Sequence, residues 1–355
     1  MAGAVGATRK RGRFAPYGLL SPGVLWLLLF FLVPVAFLFR TALSNQPERF
    51  VPSDLDFEWK WDNFSEAFDT FGPQFQDAMR IAFIATLVAL AVCVGIVFVR
   101  RGVWQNARAR RLLIGALVGV FFGAYIVTST IDGWGDHFQR SFLYAGIATL
   151  LCIAIGYPLA YVIAFRGGAY KNLLLGLVVV PFFTTYLIRT IAWQTILFDD
   201  GPVVDLLQSL GLMGDSDRLL ATPGAVIGGL TYNFLPFMVL PIYVSLEKID
   251  RSLVDAARDL YSTPARAFRK VVLPLSLPGV FAGSLLTFIP AAGDFINAEL
   301  LGSPTTLMIG NVVQNQFLVQ LDYPTAAALS FVLMAIITVA VLIYARVLGT
   351  EDLTG

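Results

Sequence analysis

Arg189, Asp294 and Glu299 lie inside runs that are otherwise almost wholly Leu, Ile, Val, Phe and Ala. A charge at the centre of a membrane helix costs about 2.5–3.5 kcal/mol on insertion scales, so such residues default to pairing or to function. Asp294 stands in Gly293-Asp294-Phe295, just after the helix-bending Pro290, and Arg189 stands one helical turn before Trp193. Aromatic residues crowd the same stretches: Phe182, Phe183, Tyr186, Tyr232 and Phe234. Carboxylates and aromatic faces both attract ammonium groups. Asp294 with Tyr186, Trp193 and Tyr232 therefore has the chemistry of a weak cation path, with Arg189 and Glu299 beside it. Two plainer readings stay open. Arg189 and Asp294 neutralise each other between helices, or the rings serve only packing and interfacial belts. On one continuous helix Asp294 and Glu299 would stand about 140° apart, too far for one narrow face.

No catalytic constellation accompanies these charges. His137 is the single histidine and has no neighbouring Cys, so it reads as an interfacial polar residue and not as a metal ligand. Cys93 and Cys152 sit in apolar runs and read as small buried hydrophobes, neither a disulfide nor a metal pair. No Gly-x-x-x-x-Gly-Lys-Ser/Thr loop is present, so the chain has no cradle of its own for ATP phosphates. A membrane-embedded enzyme would need a clustered nucleophile, metal set or acid–base pair. A channel would need a filter-like loop, and an ion-coupled secondary transporter often shows half-to-half repeats; the sequence offers none of these. The net charge of +1 and the lack of a basic stripe give no support to nucleic-acid binding.

The elements that must position these residues are membrane helices. Hydrophobic residues make up 57% of the 355-residue chain and charged residues 14%, which is the composition of a polytopic membrane protein. The apolar runs are continuous, not alternating, so the fold class is all-α. A bilayer core about 30 Å thick needs about 20 apolar residues per helix. That ruler gives about eight candidates, near 18–41, 79–99, 112–131, 141–165, 172–197, 224–246, 276–299 and 325–348. The first is preceded by Arg9, Lys10, Arg11 and Arg13; it is too long for a signal-peptide core and reads as an uncleaved span. Basic residues collect in alternate loops, as at Arg100–Arg111, Arg166–Lys171 and Lys248–Lys270, whereas residues 48–69 and 199–217 are acidic. By the positive-inside rule both termini face the cytoplasm. The expected organisation is a cytoplasmic tail over 1–16; a first span, an outside cap segment and a helical pair over 17–139; a core over 140–348; and a second tail over 349–355. The polar and aromatic segment 43–77 is expected to pack as a small cap.

One further segment carries a two-part spacing. Asp255-Ala256-Ala257 is followed by three residues, Tyr261, nine residues, Val271, one residue and Leu273-Pro274. Ser262-Thr263-Pro264 interrupts it, and Thr before Pro is a natural helix start. The expectation is two short helices, 251–260 and 264–272, with Pro274 and Pro278 ending the second. Prolines 181, 236, 241 and 290 are expected to break helices where a path must flex.

This spacing resembles the signature loop of ABC importer permeases: Glu-Ala-Ala, three residues, Gly, nine residues, Ile, one residue, Leu-Pro. Asp255 replaces the Glu and Tyr261 the Gly. Gly156-Tyr157-Pro158-Leu159-Ala160-Tyr161, Arg189-Thr190-Ile191-Ala192-Trp193, Leu273 to Gly279, Gly293-Asp294-Phe295 and Leu307-Met308-Ile309-Gly310-Asn311 resemble the spermidine/putrescine branch of that family. The resemblance spans roughly residues 140–348. It implies a type I-like six-helix importer core, with residues 79–131 as one extra helical pair, and a cytoplasmic coupling loop over 248–275. It further implies partners: two ATP-binding cassette subunits that bind ATP and Mg, a second permease subunit, an extracytoplasmic substrate-binding protein, and membrane lipid. Residues expected to dock on the ATPase are Asp255, Ala256, Ala257, Arg258, Tyr261, Ser262, Pro264, Arg266 and Pro274. Relatives of this type carry putrescine, spermidine, other organic amines, phosphonates or ferric iron.

Overall fold

In the computed structural model the described residues are 25–26, 28–46, 55–69, 137–214, 217–250, 252–253, 255–256 and 263–348. The spans expected at 79–99 and 112–131, both tails and Cys93 lie outside them. Three mutually packed helices form the centre: α3 (His137–Arg166), α7 (Pro223–Glu247) and α8 (Pro264–Ala292). Their lengths follow from unbroken apolar runs, and with Tyr323–Leu342 of α11 (Tyr323–Leu348) they are long and apolar enough to cross a membrane. The expected spans at 141–165, 224–246 and 325–348 lie within α3, α7 and α11.

Small residues set how closely the central helices approach. Gly279 and Gly283, one turn apart on α8, face α7. A Cβ on Gly279 would lie 2.5 Å from the Pro241 carbonyl oxygen, and one on Gly283 would lie 3.1 Å from that of Met238. Such small-xxx-small ridges let backbones meet where lipid supplies no hydrophobic drive. Gly156 of α3 faces Val239 and Met238 in the same way.

Two expected spans are broken. Residues 172–197 do not form one helix. α4 (Lys171–Val179) passes into a 3-10 turn at Val180–Phe183, then the chain extends through Thr184 and Thr185, and α5 (Tyr186–Leu197) starts afresh. The two arms, Gly168–Phe183 and Tyr186–Ser209, which includes the short α6 (Pro202–Ser209), bend by 94°. Pro181 withholds an N–H at this point, and the Thr184 hydroxyl donates to the Pro181 carbonyl at 2.7 Å, closing the turn. The run 276–299 is likewise interrupted: α8 ends at Ala292, Gly293 to Phe295 are non-helical, and α9 (Ile296–Leu301) follows.

The other prolines do not act as expected. Pro236 and Pro241 lie inside continuous α7, and Pro278 and Pro290 inside α8. Nor does Pro274 end a helix, because α8 runs through it. A π-helical turn at Phe268–Val272 precedes it and widens the backbone where its ring would strike the carbonyl of residue 270. The same device recurs in α1 (Leu28–Ala42), where a π turn at Leu28–Leu32 precedes Pro34.

Residues 43–46 and 55–69 of the segment 43–77 are among those described. Ser44–Asn45 (β1) pairs antiparallel with Asp56–Phe57 (β2), and α2 (Asp62–Asp69) packs on α11. The Asn63 amide donates to the carbonyls of Ala42 and Ser44, both at 2.9 Å, and Phe39, Phe64 and Phe331 form one ring cluster. α10 (Ile309–Leu318) lies against α11 and α3.

Candidate translocation site

The two broken spans meet. Tyr186, the first residue of α5, donates its hydroxyl hydrogen to Asp294 Oδ2 in the gap between α8 and α9. Asp294 Oδ1 accepts from the Asn297 backbone N–H at 2.8 Å and from its side-chain amide at 3.3 Å. The Asn297 amide also donates to the Tyr186 oxygen. Asn233 of α7 completes the network, donating to Asn297 Oδ1 at 3.3 Å and to the Thr190 hydroxyl at 3.2 Å. Asp294 is only 8% exposed and Asn297 is fully buried. In this setting the carboxylate both starts α9, through the Asn297 backbone, and presents its second oxygen to α5. A group with these roles can exchange a neutral hydroxyl donor for a cationic one.

The gap has its own scaffold. Gly310 at the start of α10 packs so closely that a Cβ there would lie 2.7 Å from the Gly293 carbonyl oxygen and 2.9 Å from that of Asp294. The Asn311 amide donates to the Phe295 carbonyl at 2.9 Å, while its oxygen accepts from Met308 N–H at 3.0 Å. Ser141 of α3 accepts from Ile309 N–H at 2.8 Å. The segments Gly293-Asp294-Phe295 and Met308-Ile309-Gly310-Asn311, separate in sequence, are thus one construction. His137 begins α3, and its Nδ1 lies 3.0 Å from the Leu307 carbonyl.

The remaining path candidates divide. Trp193 and Tyr232 stack edge-on with centroids 5.4 Å apart; Trp193 is partly buried, and Tyr232 is 36% exposed. Glu299 is exposed on α9, makes no part of the Asp294 network, and the helical-wheel angle between the two acids loses its meaning because the helix is interrupted. The mutual neutralisation of Arg189 and Asp294 does not occur: no ion pair joins them, since Asp294 is held by Tyr186 and Asn297. The Arg189 guanidinium instead lies over the Phe182 ring at 5.0 Å and the Tyr186 ring at 5.7 Å. Its Nε and Nη1 are buried without a hydrogen-bond partner among the described residues. Asn297, Asn233 and Thr190 escaped the sequence reading, which weighed full charges. Their signal was an amide or hydroxyl inside an apolar run, where an unmet polar group is also costly, though less so than a charge.

At the far end of α8, Thr263 precedes the helix in extended conformation, and Pro264 opens it without a side-chain cap bond. Ala267 and Val272 are buried, and the Phe268 ring meets Tyr157 and Tyr161 of α3 edge-on at 5.8 and 5.7 Å. The Tyr157 hydroxyl and Ser276 hydroxyl are 2.7 Å apart. Pro264, Arg266, Arg269 and Lys270 are exposed, and Pro274 lies within the continuous helix. Asp255 and Ala256 are helical and exposed. Ala257, Arg258, Tyr261 and Ser262 lie outside the described residues. Beyond α7, the Asp250 carboxyl accepts from Ser252 N–H at 2.9 Å, which holds it below the ordinary carboxylate range.

Residues 153–348 match the family of the binding-protein-dependent transport system inner membrane component. The spermidine/putrescine transport system permease protein PotB of Haemophilus influenzae is 41% identical over 207 residues, which is 58% of this chain and 72% of that protein. PotB of Escherichia coli is 42% identical over 200 residues, 56% and 73% of the two chains. The inner membrane ABC transporter permease protein YdcU of Escherichia coli is 35% identical over 232 residues, 61% and 72% of the two chains. Among solved structures, a bacterial ABC transporter involved in the import of the acidic polysaccharide alginate superposes with a TM-score of 0.56 at 17% identity, covering 94% of each chain, a likeness of fold alone. The matched residues contain α4 to α11 and the whole Asp294 network, and the apolar helices make the protein multi-pass. This chain belongs to the binding-protein-dependent transport system inner membrane component family, as a permease subunit of an ABC importer of the inner membrane.

Proposed function

We propose that this permease carries a polyamine such as spermidine or putrescine, or a small organic cation of the same kind. The observation that carries the reading is Asp294, a buried carboxylate at a helix break whose donors among the described residues are the neutral Tyr186 and Asn297. The ring faces of Tyr186, Trp193 and Tyr232 suit ammonium groups. Identity of 41% and 42% to the two PotB proteins supports the same cargo class. The cargo arrives on an extracytoplasmic binding protein. It passes between this chain and a second permease subunit, and two partner ATPases bind ATP and Mg and drive the cycle. The exposed start of α8, with Arg266, Arg269 and Asp255-Ala256 just before it, is the surface that seats in those ATPases. Both termini and this surface lie on the cytoplasmic side.

The test is uptake of labelled spermidine or putrescine by the complex reconstituted with its ATPases, second permease and binding protein. Asp294→Asn lowers uptake by about tenfold or more. Unchanged uptake removes Asp294 from the path. Proton-driven uptake by this chain alone, with no ATPase co-purifying, defeats the importer reading.

A further inference from the structure

Two opposite charges are buried against one tyrosine, Arg189 at its ring face and Asp294 at its hydroxyl. The Arg189 guanidinium lies over the face of Tyr186 at 5.7 Å, and Asp294 takes the hydrogen of the same residue's hydroxyl. Each charge is only 8% exposed. Among the described residues neither has an ionic partner: Asp294 is met by neutral donors, and Arg189 leaves Nε and Nη1 unpaired. A buried ion without a counter-charge is strongly unfavourable, and a direct pair in a low dielectric is the obvious relief. Both charges instead meet at Tyr186.

We infer that Tyr186 is a wedge separating Arg189 from Asp294, and that Arg189 is a tethered substitute for the cargo cation. When the Tyr186 ring withdraws, Arg189 pairs with Asp294 and shuts the carboxylate to cations. While the ring stays in place, the carboxylate is held by a hydroxyl that an incoming ammonium displaces. Tyr186 and Arg189 are thus positioning residues for Asp294. The break at Thr184–Thr185, immediately before Tyr186, is the hinge about which the ring moves, since at the 94° bend two extended residues join α5 to the 3-10 turn that follows α4. The inference rests on the reading of Asp294 as a path residue.

The experiment is a thermal-unfolding cycle on the assembled transporter in detergent. Arg189→Gln, Asp294→Asn and the double variant are each made with Tyr186 and with Tyr186→Ala. With Tyr186 present the two single changes in Tm couple only through their shared contact with Tyr186, so the coupling is smaller than in the Tyr186→Ala background. With Tyr186→Ala each single variant lowers Tm and the double variant lowers it no further. Coupling in the Tyr186→Ala background no larger than with Tyr186 present overturns the wedge. If Tyr186→Ala does not fold, Tyr186→Ser replaces it in the same cycle. Uptake gives a second readout that a merely structural role would not move. Tyr186→Ala lowers spermidine uptake by about tenfold or more, and adding Arg189→Gln raises it again by about threefold or more, short of the parent because the Tyr186 ring is still missing. Failure of that rescue, in a preparation whose parent transports spermidine, overturns the proposal. A parent that moves no amine defeats the cargo reading instead, and the thermal cycle still decides the pair.

Discussion

Asp294 accepts three hydrogen bonds, from Tyr186 and twice from Asn297, and that network is held by residues with no charge. Its weak point is steric. Gly229 of α7 lies against it: a Cβ there would lie 2.4 Å from Leu301 Cδ1 and 2.5 Å from Asn297 Oδ1. Gly229→Leu therefore pushes Asn297 off Asp294. The expected loss of stability is about 1–3 kcal/mol by overpacking, read as a lower unfolding temperature in detergent, together with reduced uptake. A variant of full stability and full uptake would show that the network tolerates displacement. Asp294, Tyr186 and Arg189 were legible as charges and rings in apolar runs. Which of them touch was not, because contact between residues 186 and 294 depends on two helix breaks that no single window of sequence contains.

At the scale of the element, α8 shows how membrane helices manage proline and glycine. Three prolines, at 274, 278 and 290, sit within it without ending it. The π turn at Phe268–Val272 absorbs the first, and packing against α3 and α7 holds the rest. The Gly279-x-x-x-Gly283 ridge then lets α8 reach the α7 backbone. Gly279→Leu would set a side chain 2.5 Å or less from the Pro241 carbonyl, a rigid backbone atom, and 2.6 Å from Ser245 Oγ. The expected outcome is poor membrane accumulation and a stability loss above about 1–3 kcal/mol, measured by expression level and thermal unfolding. Gly146 of α3 has nothing within 4 Å of a built Cβ, so Gly146→Ala is the neutral control. Retained stability in Gly279→Leu would place α8 further from α7 than described.

For the molecule as a whole, the continuity of α8 matters most. A single 29-residue helix joins the exposed segment at Pro264–Lys270 to the gap that holds Asp294. At 1.5 Å per residue it is about 43 Å long, enough to cross the bilayer and carry motion as a rod. On the proposed reading, a stroke delivered near Pro264 tilts α8 and moves the Asp294 gap at its other end. The Phe268 contacts with Tyr157 and Tyr161 make α3 follow. Two substitutions test this. Arg266→Glu reverses an exposed charge and should weaken co-purification of the ATPase subunits without changing the unfolding temperature of this chain. Ala257→Arg should leave ATP hydrolysis running while uptake falls, read as a lower ratio of cargo moved to ATP consumed. Intact assembly and uptake in both would sever the segment from the motor.

Local chemistry was enough to establish that this is an all-α membrane protein, where the long helices over 141–165, 224–246 and 325–348 run, and that a two-part segment near Asp255 resembles an importer docking loop. Each of those properties depends on a window of some twenty residues, because burial in lipid and helix length are set residue by residue along the chain. The tertiary structure decided the rest. It determined that Pro181 marks a break while Pro236, Pro241 and Pro290 do not, that Glu299 stays apart from Asp294, and that Arg189 and Asp294 both contact Tyr186 without pairing with each other. Whether a proline breaks a membrane helix depends on what its neighbours offer the backbone, and a buried charge takes the partner that packing brings to it. Both outcomes are properties of several helices at once.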